Sequence, residues 1–174
     1  ELANALEESD DLCTVRGLCF RTENGYIHTG PMPPLKELDE LPFASQFIKE
    51  HLEEKDYFFA AATYPSIQIF TGRGCPFHCN FCVYPQTMHG HAFRARSAEN
   101  VVAEFEYIAE NFSDVKEVVI EDDTFTANKK RVLEICRLLV EKKLYKRLKW
   151  LCNARVNLDL ETMRAMKKAG CRLI

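Results

Sequence analysis

No stretch of this 174-residue chain is apolar over anything near the roughly 18 residues that a membrane-spanning helix requires, so no helical membrane span is expected. A basic excess is absent as well. With 23 Lys and Arg against 26 Asp and Glu the formal net charge is −3, and the chain carries no field that would gather phosphate backbones. Its one dense basic segment, Lys142 to Lys149, reads as a solvated helix end, so nucleic acid is not an expected partner. No secretory signal is expected within these residues, since Glu1 to Asp11 is acidic and helical in pattern where a signal peptide is basic and then apolar, and the expected location is the cytoplasm. An initiating Met is missing too, and the chain stops on an apolar strand-like ending, Cys171-Arg172-Leu173-Ile174. Both ends are expected to be cut from a longer chain.

What the sequence has in quantity is cysteine, eight residues in all, three of them (Cys75, Cys79 and Cys82) within eight consecutive positions. Such crowding favours metal ligation in a reducing compartment over a disulfide framework. A tetrahedral zinc site usually pairs two short-spaced hooks of Cys or His, and no second hook is evident. His78, His89 and His91 lie close enough for a Cys3His zinc site to stand as the alternative. Cys136, Cys152 and Cys171 read as small buried hydrophobes, and Cys13 and Cys19 as structural residues of a hairpin.

The chain opens with the end of a helix (Ala3 to Glu8). Thr14 to Phe20 reads as a strand that Glu23-Asn24-Gly25 turns into a second, Tyr26 to His28. The Pro31 to Pro34 run and Leu38-Asp39-Glu40-Leu41-Pro42 make a linker, with a boundary expected near Phe43. From there strand and helix alternate. A helix over Ala44 to Lys55 is followed by a strand from Ser66 to Thr71 that runs into the cysteines, then by a helix capped by Ser97. A strand over Val115 to Glu121 precedes a helix from about Asn128 to Lys143, and a strand over Leu148 to Val156 precedes a helix capped by Asp159 and ended by Gly170. Repeated βα units build either a doubly wound sheet or a barrel, and in both the ligands sit beyond the carboxyl ends of the strands. The chemically distinctive residues fall at those ends: Cys75 to Cys82, Asp122-Asp123-Thr124, and Asn153-Ala154-Arg155.

Three thiolates can hold three irons of a cubane and leave the fourth open, whereas electron-transfer clusters usually fill that place with a fourth Cys. The motif Cys75-Pro-Phe-His-Cys79-Asn-Phe-Cys82, spaced three then two after a strand and with an aromatic just before its last Cys, resembles the signature of the radical S-adenosylmethionine superfamily. The resemblance implies a partial (β/α) barrel, here the first three βα units and the start of a fourth strand, preceded by the hairpin and linker. It also implies a [4Fe–4S] cluster on Cys75, Cys79 and Cys82 whose open iron is chelated by S-adenosyl-L-methionine. One electron from an external donor then cleaves the sulfonium, and the 5′-deoxyadenosyl radical takes a hydrogen from a small-molecule substrate. A cluster used for electron transfer, or a zinc-stabilised binding module, is the alternative reading of the same loop.

In that family Phe81 would sit beside the adenine, with backbone groups of Val83 and Tyr84 at its edge, while Phe77 is equally readable as packing. The acidic turn from Glu121 to Thr126 matches the position of the motif that binds the cofactor's ammonium, a role that Asp122 and Asp123 share as expectations, helix capping being the structural alternative. Arg155, with Asn153, is a candidate for the cofactor's carboxylate, because a guanidinium grips a carboxylate bidentately; a surface ion pair is the other reading. His89 and His91 could donate protons or bond backbone, and Arg94 and Arg96 are expected to brace the loop beside the Ser97 cap. From Leu12 to Ile174 the chain looks like the cobalamin-dependent branch, in which a tail helix, a hairpin and a Leu-Asp-x-Leu-Pro linker follow a cobalamin-binding domain. Residues 1–43 would be that trailing piece and 44–174 the start of the barrel. Phe81 to Thr87, Gly90-His91, Arg94-x-Arg96-Ser97 and the Asp-Asp-Thr-Phe-Thr turn are most similar to radical proteins of hopanoid biosynthesis, and more distantly to the anaerobic magnesium-protoporphyrin monomethyl ester cyclase. No Asp-x-His-x-x-Gly cobalt-ligand motif occurs in the chain, so cobalamin is expected only in a longer protein. An incomplete barrel leaves a sheet edge through which a dimer could form, and no turnover is expected of the piece alone.

Overall fold

The computed structural model describes residues 1–87 and 90–174, and its backbone divides into two compact units, 1–36 and 37–174. The first unit starts with helix α1 (Leu2–Glu7) and a single 3-10 turn, Leu12–Thr14, capped by Asp11, whose side chain accepts from the Cys13 amide at 2.9 Å. Strands β1 (Cys19–Thr22) and β2 (Gly25–His28) then pair antiparallel, with Thr22 opposite Gly25. The hairpin lies where the Asn-Gly signal put it, but its first strand starts at Cys19 rather than Thr14. Asp11 commits the preceding residues to a turn, and Gly17, at a φ of +82°, interrupts any extended run. Cys13 and Cys19 are exposed free thiols rather than packed residues of this hairpin.

In the second unit the segment expected as a linker is tied down. The Asp39 carboxylate accepts from the Ser97 amide at 2.8 Å, so the compact unit begins at Glu37, ahead of the boundary expected near Phe43. Helix α2 (Ala44–His51) stops short of Lys55 because Leu52 turns extended. There follow β3 (Ser66–Ile69), β4 (Gly72–Arg73), the one-turn helix α3 (Tyr84–Thr87) and β5 (Arg94–Ala95). The regular alternation resumes with α4 (Ala98–Asn111), β6 (Glu117–Ile120), α5 (Lys129–Glu141), β7 (Lys149–Cys152), α6 (Leu160–Lys168) and β8 (Cys171–Leu173). Each long helix after a strand begins on a side-chain cap: Ser97 accepts from the Asn100 amide, Asn128 from Arg131 and Asp159 from Thr162.

The main sheet is parallel, in the order β3-β6-β7-β8. A doubly wound sheet reverses its order at a switch point, whereas this one never does; it is the order of a barrel built one βα unit at a time. Helices α2, α4, α5 and α6 contact one another in the same succession. Inside, Ile67, Ile69, Val118, Ile120 and Trp150 pack against Phe105, Ile108, Ile135, Leu139 and Met166. All four residues of β6 are buried, as expected of a central parallel strand covered on both faces. Trp150 satisfies its indole by donating to the Ala169 carbonyl at 3.0 Å. Cys136 and Cys152 belong to this core, where burial pushes the Cys136 thiol up to about 12 and a thiol hydrogen bond with Cys171 together with burial pushes Cys152 up; both stay neutral thiols. No helix among the described residues is long and apolar enough to cross a membrane.

Candidate functional site

The cysteine loop leaves the sheet through a segment whose polar groups are almost all committed. Thr71 is fully buried, and its amide and hydroxyl donate to the two oxygens of Asp122 at 2.6 and 2.5 Å. The Gly72 amide donates to the same carboxylate at 2.9 Å. On its other side the Thr71 carbonyl accepts from the Arg96 amide at 2.9 Å and from the Arg131 guanidinium at 2.8 Å. Strand β4 then pairs antiparallel with β5, Gly72 opposite Ala95, so the loop departs from and returns to one place. Gly74 stands at a φ of +82°, and a Cβ there would lie 2.4 Å from the Ala92 carbonyl oxygen; only glycine fits.

Cys75, Cys79 and Cys82 follow as half-buried free thiols. The Cys75 amide donates to Gly90 at 3.2 Å, and His91 Nδ1 lies 3.1 Å from the Cys75 carbonyl, a donor in the Nδ1–H tautomer. The Cys82 amide donates to the Cys79 carbonyl at 3.0 Å, which turns the loop between its last two cysteines. His78 stacks on His91 with ring centroids 4.0 Å apart. Of the two histidines read as proton donors or backbone partners, His91 is thus engaged with the cysteine loop, and His89 lies outside the described residues. Among the described residues no three His, Cys, Asp or Glu side chains converge as a single metal ion would need. A cubane binds each thiolate at a different iron and spreads its ligands further apart. The donor set therefore suits an iron–sulfur cluster: three unpaired thiols from one loop beyond the carboxyl end of a parallel strand.

On both sides of the third cysteine the side chains turn outward. Phe81 is 89% exposed, and Val83 and Tyr84 are each 58% exposed. The Val83 carbonyl accepts from the Gln86 and Thr87 amides and from the Thr87 hydroxyl, which leaves it no lone pair for an adenine edge; the N–H groups of this segment are the remaining candidates.

The two aspartates of the acidic turn separate. Asp122 points inward and is buried, whereas Asp123 is half-buried. Burial pushes the Asp122 carboxyl up, opposed by its Thr71 and Gly72 donors and by Arg131. Asn153 is exposed; its side-chain amide donates to the Asp122 carbonyl at 3.4 Å and its own carbonyl accepts from Phe125 at 3.0 Å, joining the ends of β6 and β7. Arg155 reaches the cysteine loop, its guanidinium 4.0 Å from the centre of the Phe77 ring, where cation and π-face attract. The two line a cavity of about 210 Å³ with Thr126, Lys129, Asp159 and Thr162. Arg96 braces the loop from below, donating to Phe70 and Asn100 and pairing with the buried Glu104. Thr71, Glu104 and Arg131 were not singled out from the sequence, because nothing in its spacing relates residues that meet only in three dimensions.

The fold and the loop define a class. Residues 69–174 match the family model of the radical SAM superfamily, and the chain belongs to that superfamily. It is 34% identical over its whole length to an uncharacterized methyltransferase of Pyrococcus horikoshii, of which it covers 36%. It is 28% identical, over 90% of its length, to the anaerobic magnesium-protoporphyrin IX monomethyl ester cyclase of Cereibacter sphaeroides, covering 25% of that protein. Among solved structures it resembles TsrM, a radical S-adenosylmethionine methyltransferase from Kitasatospora setae with cobalamin and a [4Fe–4S] cluster bound. That likeness has a TM-score of 0.70 at 20% identity and spans 99% of this chain and 34% of that one. The chain thus spans about a third or less of the length of these relatives. These matches support the branch that the hairpin, linker and loop residues indicated.

Proposed function

We propose that the protein is a radical S-adenosylmethionine enzyme in which Cys75, Cys79 and Cys82 hold a [4Fe–4S] cluster. The observation that carries this reading is the placement of three free, half-buried thiols in one loop beyond the carboxyl end of β3, the first strand of a sequentially ordered parallel sheet. When bound, such a cluster supplies the electron that cleaves S-adenosyl-L-methionine to a 5′-deoxyadenosyl radical. The chain's own residues bind and orient: Phe81 offers an aromatic face to the adenine, N–H groups of Val83 and Tyr84 its edge, Asp123 a carboxylate to the ammonium, and Arg155 with Asn153 donors to the carboxylate. Its guanidinium over the Phe77 ring holds the head of Arg155 at the cavity.

The substrate is a small molecule, the electron comes from an external donor, and nucleic acid is not a partner in an acidic chain of this kind. Residues 1–43 are read as the trailing helix, hairpin and linker of a cobalamin-binding-type domain, with cobalamin a cofactor of the longer protein, which works in the cytoplasm. The free edges of β3 and β8 are where a second copy of the chain would add. The test is anaerobic reconstitution with iron and sulfide of the wild type and of the Cys75→Ala, Cys79→Ala, Cys82→Ala triple variant. The wild type should bind about four irons and show an EPR signal that changes on adding S-adenosylmethionine, and the triple variant should bind none. Stoichiometric iron in the triple variant, or zinc in place of iron in the wild type, would refute the assignment.

A further inference from the structure

Asp122 was expected to face the cofactor's ammonium, yet at 1% exposure its carboxylate has no open side for a ligand. Its capacity is spent within the protein. One oxygen takes the Thr71 and Gly72 amides and the other the Thr71 hydroxyl, three donors on the two residues that lead from β3 into the cysteine loop. The fit is close: a Cβ on Gly72 would stand 3.2 Å from the second oxygen. From the opposite side Arg131, on α5, donates to the Thr71 carbonyl at 2.8 Å and to the Arg96 carbonyl at 2.7 Å. Thr71 is therefore held through its amide, hydroxyl and carbonyl by groups from the β6 turn, from α5 and from the residue after β5. It lies only four positions before Cys75 in the sequence, with the two-residue strand β4 and Gly74 between them.

We propose that Asp122 and Arg131 are positioning residues that clamp Thr71 and so fix where Cys75, the first cluster ligand, stands relative to the ends of β6 and β7. The inference rests on the reading that the three cysteines hold the cluster. Under it the acidic turn divides its work: Asp122 sets the loop, and ligand contacts fall to its half-buried neighbour Asp123. A clamp matters here because the cofactor's amino-acid end and the cluster are held by different elements, the cluster by the loop and the cofactor in part by the turns after β6 and β7. Their separation is set through Thr71.

The test uses the intact protein, reconstituted anaerobically, as wild type, Thr71→Val, Thr71→Ser and Arg131→Met. Valine keeps the shape of threonine but leaves a buried carboxylate oxygen without its donor, serine restores that donor, and methionine removes the opposing grip. Thr71→Val and Arg131→Met should weaken S-adenosylmethionine binding about ten-fold and alter the EPR change that it induces, while Thr71→Ser stays within about two-fold of wild type. Loss of iron by Thr71→Val at an unchanged melting temperature, with iron retained by Thr71→Ser, is the stronger form of the same result. Wild-type affinity and spectrum in Thr71→Val, or equal behaviour of the valine and serine variants, would overturn the clamp. Should Arg131→Met fail to fold, the valine and serine pair decides alone. A wild type that takes up no cluster would instead overturn the cysteine assignment, so the two failures are told apart.

Discussion

Phenylalanine serves opposite ends in two regions of this molecule. In the helix and sheet body Phe105 is 1% exposed and Phe125 wholly buried, the latter edge-on to Trp150 with ring centroids 5.5 Å apart. In the cysteine loop Phe81 is 89% exposed, and Val83 and Tyr84 beside it stand in water as well. A single exposed apolar side chain needs no explanation, but three so close together beside three free thiols form an exposed apolar patch. The body is stabilised by what it encloses, whereas the loop is held at its base, at Thr71, Gly72 and Cys75, and by ring contacts of Phe77 and His78, and around Phe81 it faces water.

That contrast can be broken by substitution. Phe105→Ala should cost about 3–5 kcal/mol of unfolding free energy in a denaturant titration, since a fully buried aromatic leaves a cavity. A smaller effect is expected at Asp159, whose carboxyl is held down to about 2, from an ordinary 3.8, by the Thr162 amide and hydroxyl and by Lys129. A lowered value means stability that is present above the ordinary carboxylate range and lost as pH falls through the folded value. The wild-type melting temperature should therefore fall from pH about 4 to about 2, and Asp159→Asn, which still caps but cannot titrate, should flatten that part of the curve. The smallest effect belongs to the loop. Phe81→Ser should move stability by no more than about 0.5 kcal/mol while weakening S-adenosylmethionine binding, and a large fall in melting temperature would mean that the exposed ring supports the fold.

Much of the body was legible in the sequence because its signals are local. Ser97, Asn128 and Asp159 start helices where capping chemistry says they should, and Gly170, at a φ of +100°, follows the last one. The place of the cysteine loop, just after a strand, was legible from the strand pattern that runs into it. The hairpin of β4 and β5 was not, since two-residue strands carry no periodicity, and neither was α3, a single turn whose Pro85 sits where a first turn tolerates proline. The inward turn of Asp122 was hidden for another reason. Asp122 lies two residues past the end of β6, where strand alternation no longer applies, and the partners that draw the carboxylate in lie about 50 positions earlier in the chain.

The unreversed strand order has a consequence for how the chain is made. Within the main sheet each strand after β3 pairs with the strand of that sheet made before it, and α5 and α6 each pack on the helix before them, so the sheet can grow from one edge as the chain is made. Parallel sheets are slow to assemble when their pairings join distant segments. Here the growing polypeptide can accrete unit upon unit as it leaves the ribosome, with the cysteine loop framed at its base once α5 has delivered Arg131.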